Sequence, residues 1–346
     1  MEHNFKVSII IPVYNVEQYI GRCIKSIFRQ EIENVSMECI IVDDCSPDSS
    51  IETVNKLIKN YFGNIVFRII RHEKNRGLSA ARNTGINNAN GDYITFVDSD
   101  DYLNNNAISA MLKVIEKYPQ VESVTSNYYH CKEKKIPIPI EKQEVLFGRE
   151  KIMDYFYSAK LKNSACFKLV SRKHILDNKI FFIEGLLYED VLWSYRQYST
   201  SSCIALIPDV TYVYEYNPQS IVNTTLQKIQ KNINSLMFIS DKLMDEPYQG
   251  HFVDLMLFAF SFIVRALDLM QKHDTTNEQH KQFCKIRKKL ISNTVKKKRF
   301  ILSSFFILLY KPFSYLLNVD LFCKTYDKQS KLVALTEKTF NWLHSK

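Results

Sequence analysis

The sequence predicts an α/β fold, a doubly wound and mostly parallel sheet with a helical C-terminal extension. Three observations predict it. Over the first 125 residues, short β-branched apolar runs alternate with stretches whose apolar residues recur at helical spacing, the pattern of β-α-β units with right-handed crossovers. The first of these runs, Val7–Val13, is continuously apolar, as expected of a strand covered on both faces. From about Ser220 onward the pattern is helical.

Val7–Val13 (VSIIIPV) reads as the first strand, and after a turn at Tyr14-Asn15 the residues Val16, Ile20, Cys23, Ile24, Ile27 and Phe28 form a helical stripe. Glu38–Val42 (ECIIV) is the second strand and ends on Asp43-Asp44. SPDSSIETVNKLIKNYF then reads as a helix capped by Asp48. Val66–Ile70 (VFRII) is a third strand, LSAARNTGINNAN a helix of small residues, and Asp92–Val97 (DYITFV) a fourth strand. A fifth helix-and-strand unit runs from Asn104 to about Ser126, and 128–140 reads as an irregular surface excursion. A mixed region to about Ser220 holds a helix start at Tyr188–Tyr198 (YEDVLWSYRQY) and a β-like DVTYVYEY. In such sheets ligands lie beyond the carboxyl ends of the strands. Pro12, Tyr14 and Asn15, then Asp43-Asp44, the His72–Arg76 loop and Asp98-Ser99-Asp100 therefore converge on one edge.

Composition narrows the function classes. With 46% hydrophobic and 24% charged residues, the 346-residue chain is globular rather than disordered. Glycine is scarce at 8 residues, and neither G-x-x-x-x-G-K-[ST] nor G-x-G-x-x-G occurs, which argues against kinase, ATPase and dinucleotide-enzyme cradles. The 8 cysteines form no C-x-x-C pair, so zinc is not expected and reduced, cytosolic thiols are. The N-terminus enters KVSIIIPVYN without the features of a secretory signal.

Several constellations carry two readings each. Asp98, Asp100 and Asp101 in FVDSDDYL repel one another at a strand end; they either cap the next helix or hold a hard divalent cation shared with substrate phosphates. Asp43-Asp44 is either a turn or an acceptor for a ring N–H or sugar hydroxyl. Arg82, one turn into its helix, is either an ordinary surface arginine or faces a diphosphate. Glu189 and Asp190 are either first-turn acids favoured by the helix dipole or a general base and its neighbour.

In this order, VSIIIPVYNVEQYIGRCIKSIFRQ, ECIIVDDCSPDSS, NRGLSAARNTGINNANGDYITFVDSDDYL and YEDVLWSYRQY resemble the family 2 glycosyltransferases, whose catalytic domain has the nucleotide-binding GT-A fold. The resemblance covers about residues 5 to 220. It implies an inverting transferase with a nucleotide-diphosphate-sugar donor, usually UDP-linked, and Mn²⁺ or Mg²⁺. Position by position it implies that Pro12 and Tyr14 line the donor pocket, Asp44 with Asn75 reads the uracil, and Arg82 lies near the diphosphate. Asp98-Ser99-Asp100 matches the family's D-x-D motif, with Asp98 towards the ribose and metal and Asp100 as direct metal ligand; Asp190 matches the catalytic base, beside Glu189. One departure is Glu215 in YVYEYNPQS, where family members often carry a basic residue; it supports an alternative, a non-catalytic nucleotide-sugar-binding scaffold. A nucleotidyltransferase is less well matched, because IPVYN lacks the glycine-rich basic loop that reaction uses.

Charge divides the chain. From Thr225 to the end there are 20 Lys and Arg against 10 Asp and Glu, so the preceding 224 residues hold 26 against 27. The expected organisation is a catalytic domain over 1–224 and a helical, basic region over 225–346. Lys285–Arg299 carries eight cations and no acid, and Phe300–Tyr310 (FILSSFFILLY) follows. Eleven apolar-rich residues are too few to span a bilayer. They suit either a helix pair packed on the domain or an interfacial anchor on anionic headgroups, and the composition favours the anchor. Nucleic acid is not an expected partner, since no reader motif occurs. By resemblance, the acceptor is a glycan or a lipid-linked glycan of a cell-surface polysaccharide, met at the inner face of the plasma membrane.

Overall fold

The computed structural model describes residues 5–30, 32–217, 226–248 and 250–297. They divide into two compact units, one within Met1–Ile152 and Asn163–Ser220, the other within Met153–Lys162 and Ile221–Lys346.

The first unit is a mixed sheet with its parallel strands at one side and centre. Strands β1 (Lys6–Val13), β2 (Ser36–Asp43), β3 (Val66–Arg71) and β4 (Tyr93–Phe96) pair in parallel in the order β3-β2-β1-β4. Ile10 lies opposite Ile40 on one side and Phe96 on the other. Ile9–Ile11, Cys39–Val42, Ile94 and Phe96 are fully buried, and each such aliphatic side chain contributes roughly 1.5–3 kcal/mol. This burial explains why the runs of β1, β2 and β4 are apolar, whereas β3, at the sheet edge, is only partly buried and carries Arg68. The chain winds from β1 out to β3 and then places β4 on the other side of β1. That reversal opens a crevice beyond the carboxyl ends of β1 and β4.

Helix α1 (Ile20–Phe28) buries Ile20, Cys23, Ile24 and Ile27, as its stripe predicts. Helix α2 is Ser50–Lys59. Asp48 serves its start from one position before the N-cap, Ser49, by accepting from the amide of Ser50 at 3.1 Å. Helix α3 (Leu78–Asn88) packs on β1 and β2. Its small residues are a packing requirement: a Cβ on Gly85 would lie 2.3 Å from Ile10 Cγ2, so nothing larger fits without displacing the strand.

The remaining strands depart from a simple doubly wound order. After β5 (Tyr102–Leu103) and α4 (Ala107–Lys117) comes β6 (Ser123–His130), which continues into the segment expected to be irregular. It does not pair with β4. Strand β8 (Lys168–Ser171) lies between them, antiparallel to both. Strand β9 (Cys203–Tyr214) runs parallel to β6, and β5 and β7 (Glu144–Phe147) pair antiparallel to β9. Helix α5 (Arg149–Tyr157) follows β7, α6 (Arg172–Asp177) follows β8, and α7 (Glu189–Thr200) precedes β9.

The second unit contains α8 (Leu226–Leu243), α9 (Phe252–Lys272) and α10 (Asn277–Lys296), with α8 packed on α9 and α10 on both. Phe156 packs edge-on against Phe258 of α9, with ring centroids 5.2 Å apart. Helix α10 starts with a capping box between Thr276 and Gln279. Lys285–Lys296, most of the basic run, belongs to this helix, and within it Ile286, Leu290 and Thr294 are buried. Lys289 pairs with Asp241 and Asp245 of α8 and its C-terminal end. Phe300–Tyr310, the expected anchor, lies outside the described residues. Among the described residues no helix is long and apolar enough to cross a membrane.

Candidate active site

The acidic cluster follows β4 at the carboxyl edge of the parallel strands. Helix α4 starts at Ala107 behind Asn106, which makes no side-chain capping bond, so the three aspartates do not cap it. Asp101 is buried; its carboxylate accepts from Tyr212 Oη at 2.6 Å and from the amide of Glu215 at 2.8 Å. It therefore binds the end of β9 to the loop, and burial followed by Asp98 and Asp100 pushes its carboxyl well up. Asp100 is raised first by burial and then by Asp98, and its Oδ2 accepts from Asn217 Nδ2 at 3.0 Å. Ser99 is buried between them.

Asp98 meets a cation from below. Arg82 is 1% exposed, and its guanidinium joins three carboxylates from two distant parts of the sequence. Nη2 donates to Asp98 Oδ1 at 2.8 Å, and Nη1 donates to Glu189 Oε1 at 2.9 Å and Asp190 Oδ1 at 2.7 Å. The plane lies over Phe182 at 5.2 Å and Phe96 at 6.0 Å, faces that favour a cation. Arg82 is thus no surface arginine: both of its Nη atoms are committed to carboxylates, one of them Asp98 of the loop expected near the diphosphate, and its buried Nε has no partner among the described residues. Buried and facing three acids, it stays protonated.

Glu189 and Asp190 reach Arg82 because of how α7 begins. Its N-cap, Tyr188, has left-handed backbone geometry (φ 59°, ψ 35°), a strained conformation for a bulky residue. Upstream, the Asn83 side chain of α3 exchanges two hydrogen bonds with the backbone of Phe182, fixing the approach to that turn. Asp190 Oδ2 also accepts from the amide of Ala165 at 3.2 Å. Burial raises both carboxyls: Glu189 rises to about 7, with Asp190 adding to the effect, and Asp190 rises although Arg82 opposes it. A carboxylate held near neutrality is suited to exchanging a proton.

The other expected donor-side residues occupy the same edge. Pro12 is buried in β1 and Tyr14 is 46% exposed just past its end. Asp44 is buried, and most of its acceptor capacity is spent on the protein: Oδ1 accepts from the amide of Arg76 and contacts His72 Nδ1 at 2.7 Å, and Oδ2 accepts from the amide of Gly77. It thereby shapes the 72–77 loop, on which Asn75 is exposed. Gly77 has φ 87°, and α3 starts immediately after it. Glu215 is paired with Arg22 of α1 (2.6 Å), whose Nη2 donates to the carbonyl of Asp100 at 3.2 Å. A cation therefore stands beside the acidic loop, supplied by α1 rather than by β9.

Sequence reasoning missed His72, which lies between Asp44 and Thr84, Tyr212 and Lys168. Each acts through a partner far along the chain, and no local pattern marks it.

Asp98 and Asp100 present hard oxygen donors, and burial and the neighbouring Asp98 raise the cost of ionising Asp100. Among the described residues no group of three or more His, Cys, Asp or Glu side chains is arranged to hold a metal. That donor set fits Mg²⁺ or Mn²⁺ bound by one or two carboxylates and completed by phosphate and water oxygens. It does not suit a self-sufficient protein cage.

Residues 8–177 match the family model described as Glycosyl transferase family 2. Over residues 8–177 the chain belongs to the family 2 glycosyltransferases. It is 32% identical to the glycosyltransferase GlyA of Streptococcus pneumoniae serotype 4 over 234 residues, 64% of this chain and 32% of GlyA. It is 27% identical to GlyG of the same organism over 292 residues, 80% of this chain and 93% of GlyG. It is 28% identical to TarS of Staphylococcus aureus, a poly(ribitol-phosphate) beta-N-acetylglucosaminyltransferase, over 60% of this chain and 35% of TarS. The match thus spans about a third of GlyA and of TarS. The crystal structure of TarS residues 1–349 with UDP-GlcNAc shares the GT-A fold, with a TM-score of 0.63 at 19% identity over 83% of this chain and 81% of that one.

Proposed function

We propose that the chain transfers a sugar from a UDP-linked donor to a hydroxyl of a cell-surface glycan polymer or its lipid-linked precursor, with inversion. The observation that carries this reading is the Arg82 bridge: one guanidinium holds Asp98 of the acidic loop and Asp190 of α7 within a single buried cluster. The donor end and the candidate base therefore share one crevice wall. The TarS structure, which holds UDP-GlcNAc, supports a UDP-linked donor.

Tyr14 and Pro12 border the base, Asn75 and the loop shaped by Asp44 read it, and Ser99 and Asp98 flank the ribose. Asp98 and Asp100 would hold the divalent ion. When bound, that ion supplies neutralisation of the charge developing on the departing diphosphate. Asp190 takes the proton of the acceptor hydroxyl as its oxygen bonds to the anomeric carbon and the bond from that carbon to the phosphate oxygen breaks. One displacement from the opposite face inverts the centre, and the proton stays on Asp190 until exchanged with solvent. Glu189 shares Arg82 with Asp190 and helps to set its charge. Burial raises both carboxyls, Glu189 to about 7.

The proposed organisation assigns catalysis to 1–224 and attachment to 225–346. Lys281, Lys285, Lys288 and Lys296 are exposed on α10. Such a cationic face suits peripheral contact with anionic headgroups, which would hold the enzyme at the inner membrane surface beside a lipid-linked acceptor.

A nucleotide screen by thermal unfolding tests the donor side. UDP and UDP-GlcNAc with Mn²⁺ should stabilise the protein and GDP and ADP should not, by about 2.7 kcal/mol at a concentration 100 times Kd. Asp100→Ala should remove the metal dependence. Absence of stabilisation by any nucleotide, or stabilisation indifferent to metal, overturns the reading.

A further inference from the structure

Lys168 opens β8 and is 0% exposed, yet among the described residues no carboxylate pairs with it. Its Nζ donates to Ser194 Oγ at 3.3 Å and lies 4.3 Å from the Tyr198 ring centre and 5.6 Å from that of Trp193. An ammonium taken out of water without a direct counter-ion is unfavourable, and the reaction described above gives it no task. Its surroundings place it relative to the base. Ser194 stands four residues after Asp190 on α7, so the two side chains lie on the same face one turn apart, roughly 5–6 Å between Cβ atoms. Three residues before Lys168, the amide of Ala165 donates to Asp190 Oδ2. Lys168 and Asp190 are therefore tied to the same two segments, with the ammonium one turn deeper.

We infer that Lys168 is a positioning residue for the candidate base, a buried cation one helical turn beneath Asp190 that holds that carboxylate ionised and ready to accept a proton. The inference rests on the reading of Asp190 as base. The charged and titratable groups around Asp190 are Arg82 from α3, Asp98 from the loop after β4, Glu189 on its own helix, and Cys166 and Lys168 from the segment entering β8. Three carboxylates thus share one guanidinium, and Lys168 is the second cation of the cluster. Around Lys168 itself, α7 contributes Asp190 and the neutral Ser194, Trp193 and Tyr198. Its own segment contributes Cys166, and β6 contributes Thr125, its register partner.

The electrostatics agree in sign. Burial lowers Lys168 to about 7 while Asp190 pulls it back up, and Lys168 is among the groups that lower Asp190 against the rise caused by burial. Below neutrality, where carboxylates titrate, the ammonium is charged and favours ionised Asp190. Removing it raises Asp190 further, so a higher pH is needed to obtain the competent base.

The test uses the full chain and release of UDP from UDP-GlcNAc with Mn²⁺, water serving as acceptor, followed from pH 5 to 9. Lys168→Met replaces the ammonium with an unbranched apolar chain of similar length. The acid limb of kcat should move up by about one pH unit, a roughly tenfold loss on the acid side that recovers at alkaline pH. KM for UDP-GlcNAc should stay within about twofold of the parent, because Lys168 is 0% exposed and presents nothing to a ligand from solvent. An unmoved acid limb, with activity either normal or uniformly reduced, overturns the inference. Should Lys168→Met fail to fold, Ser194→Ala removes the hydrogen bond on the ammonium, together with the longer one from Ser194 Oγ to the carbonyl of Ser164. It should move the limb in the same direction by less, and an unmoved limb there also overturns the inference. Asp190→Asn separates the two levels. Loss of turnover there with an unmoved limb in Lys168→Met removes Lys168 alone, whereas retained turnover in Asp190→Asn removes both readings.

Discussion

Replacing Arg82 by methionine removes the guanidinium and keeps much of the apolar stem. Three carboxylates then lose the donor they share, at 2.7 to 2.9 Å, in a place where Arg82 is 1% exposed. Breaking one side of a buried pair costs about 3–5 kcal/mol, because the partner charge remains uncompensated. The lower end applies to Asp98, whose side chain is 31% exposed and partly rehydrates; Glu189 and Asp190, at 12% and 21%, do so less. For a unit of this size, about 2–4 °C per kcal/mol converts this to a fall in Tm of roughly 6–20 °C. The loss has a pH signature. Glu189 and Asp190 are already raised in the folded protein, and without Arg82 they rise further. A carboxyl raised on folding contributes stability below its unfolded value and loses it as pH rises through the folded one. The difference from the parent should therefore be largest at pH 8 and shrink towards pH 5, where Glu189, raised to about 7, is protonated and no longer pairs with Arg82 as an anion. Thermal unfolding of both proteins across that range measures it. Equal Tm values at pH 8, or a difference independent of pH, refute the argument that Arg82 holds the cluster electrostatically.

Two further substitutions probe the scaffold. Gly85→Ala should destabilise by about 1–3 kcal/mol, read as a lower urea midpoint with unchanged slope, because the new Cβ meets Ile10 Cγ2 and α3 must move off β1; an unchanged midpoint contradicts the close packing. Tyr212→Phe should cost about 1–3 kcal/mol, since Asp101 Oδ2 and the amide of Asp98 both lose the hydroxyl. Asp101, already raised by burial, then rises further, so that loss should grow with pH.

The legible parts of this molecule are those in which a single segment carries its own burial pattern. The apolar runs of β1, β2 and β4 and the stripe of α1 show in the sequence because both faces of those strands, and one face of that helix, are covered; β3, at the sheet edge, is only partly buried. Strand β8 did not show: KLVS is four residues long, begins with a lysine, and enters the sheet antiparallel between β4 and β6. No periodicity can announce that insertion. At the site, the acidic loop and the Glu189-Asp190 pair were visible as carboxylates at element ends. Their joint dependence on Arg82, separated from Asp190 by 108 positions, was not, and neither was the bond from Tyr212 to Asp101 across 111 positions. The basic run illustrates the reverse. Eight cations looked like one surface feature, yet within the described part Ile286 and Leu290 are buried and Lys289 is spent on two aspartates of the second unit. Charge density is read easily from a sequence, whereas its partition between packing and solvent requires the fold.

The central claim is that Asp190 removes a proton from the attacking hydroxyl while the acidic loop holds the donor. Asp190→Asn preserves the shape and a bond to Arg82's neighbourhood but cannot accept that proton. Measured as UDP release from UDP-GlcNAc with Mn²⁺, beside calorimetric binding of UDP, the substitution should cost about 10²–10⁴-fold in kcat and leave UDP affinity within about twofold. Turnover that survives at most of the parent rate, with UDP still bound, would contradict it.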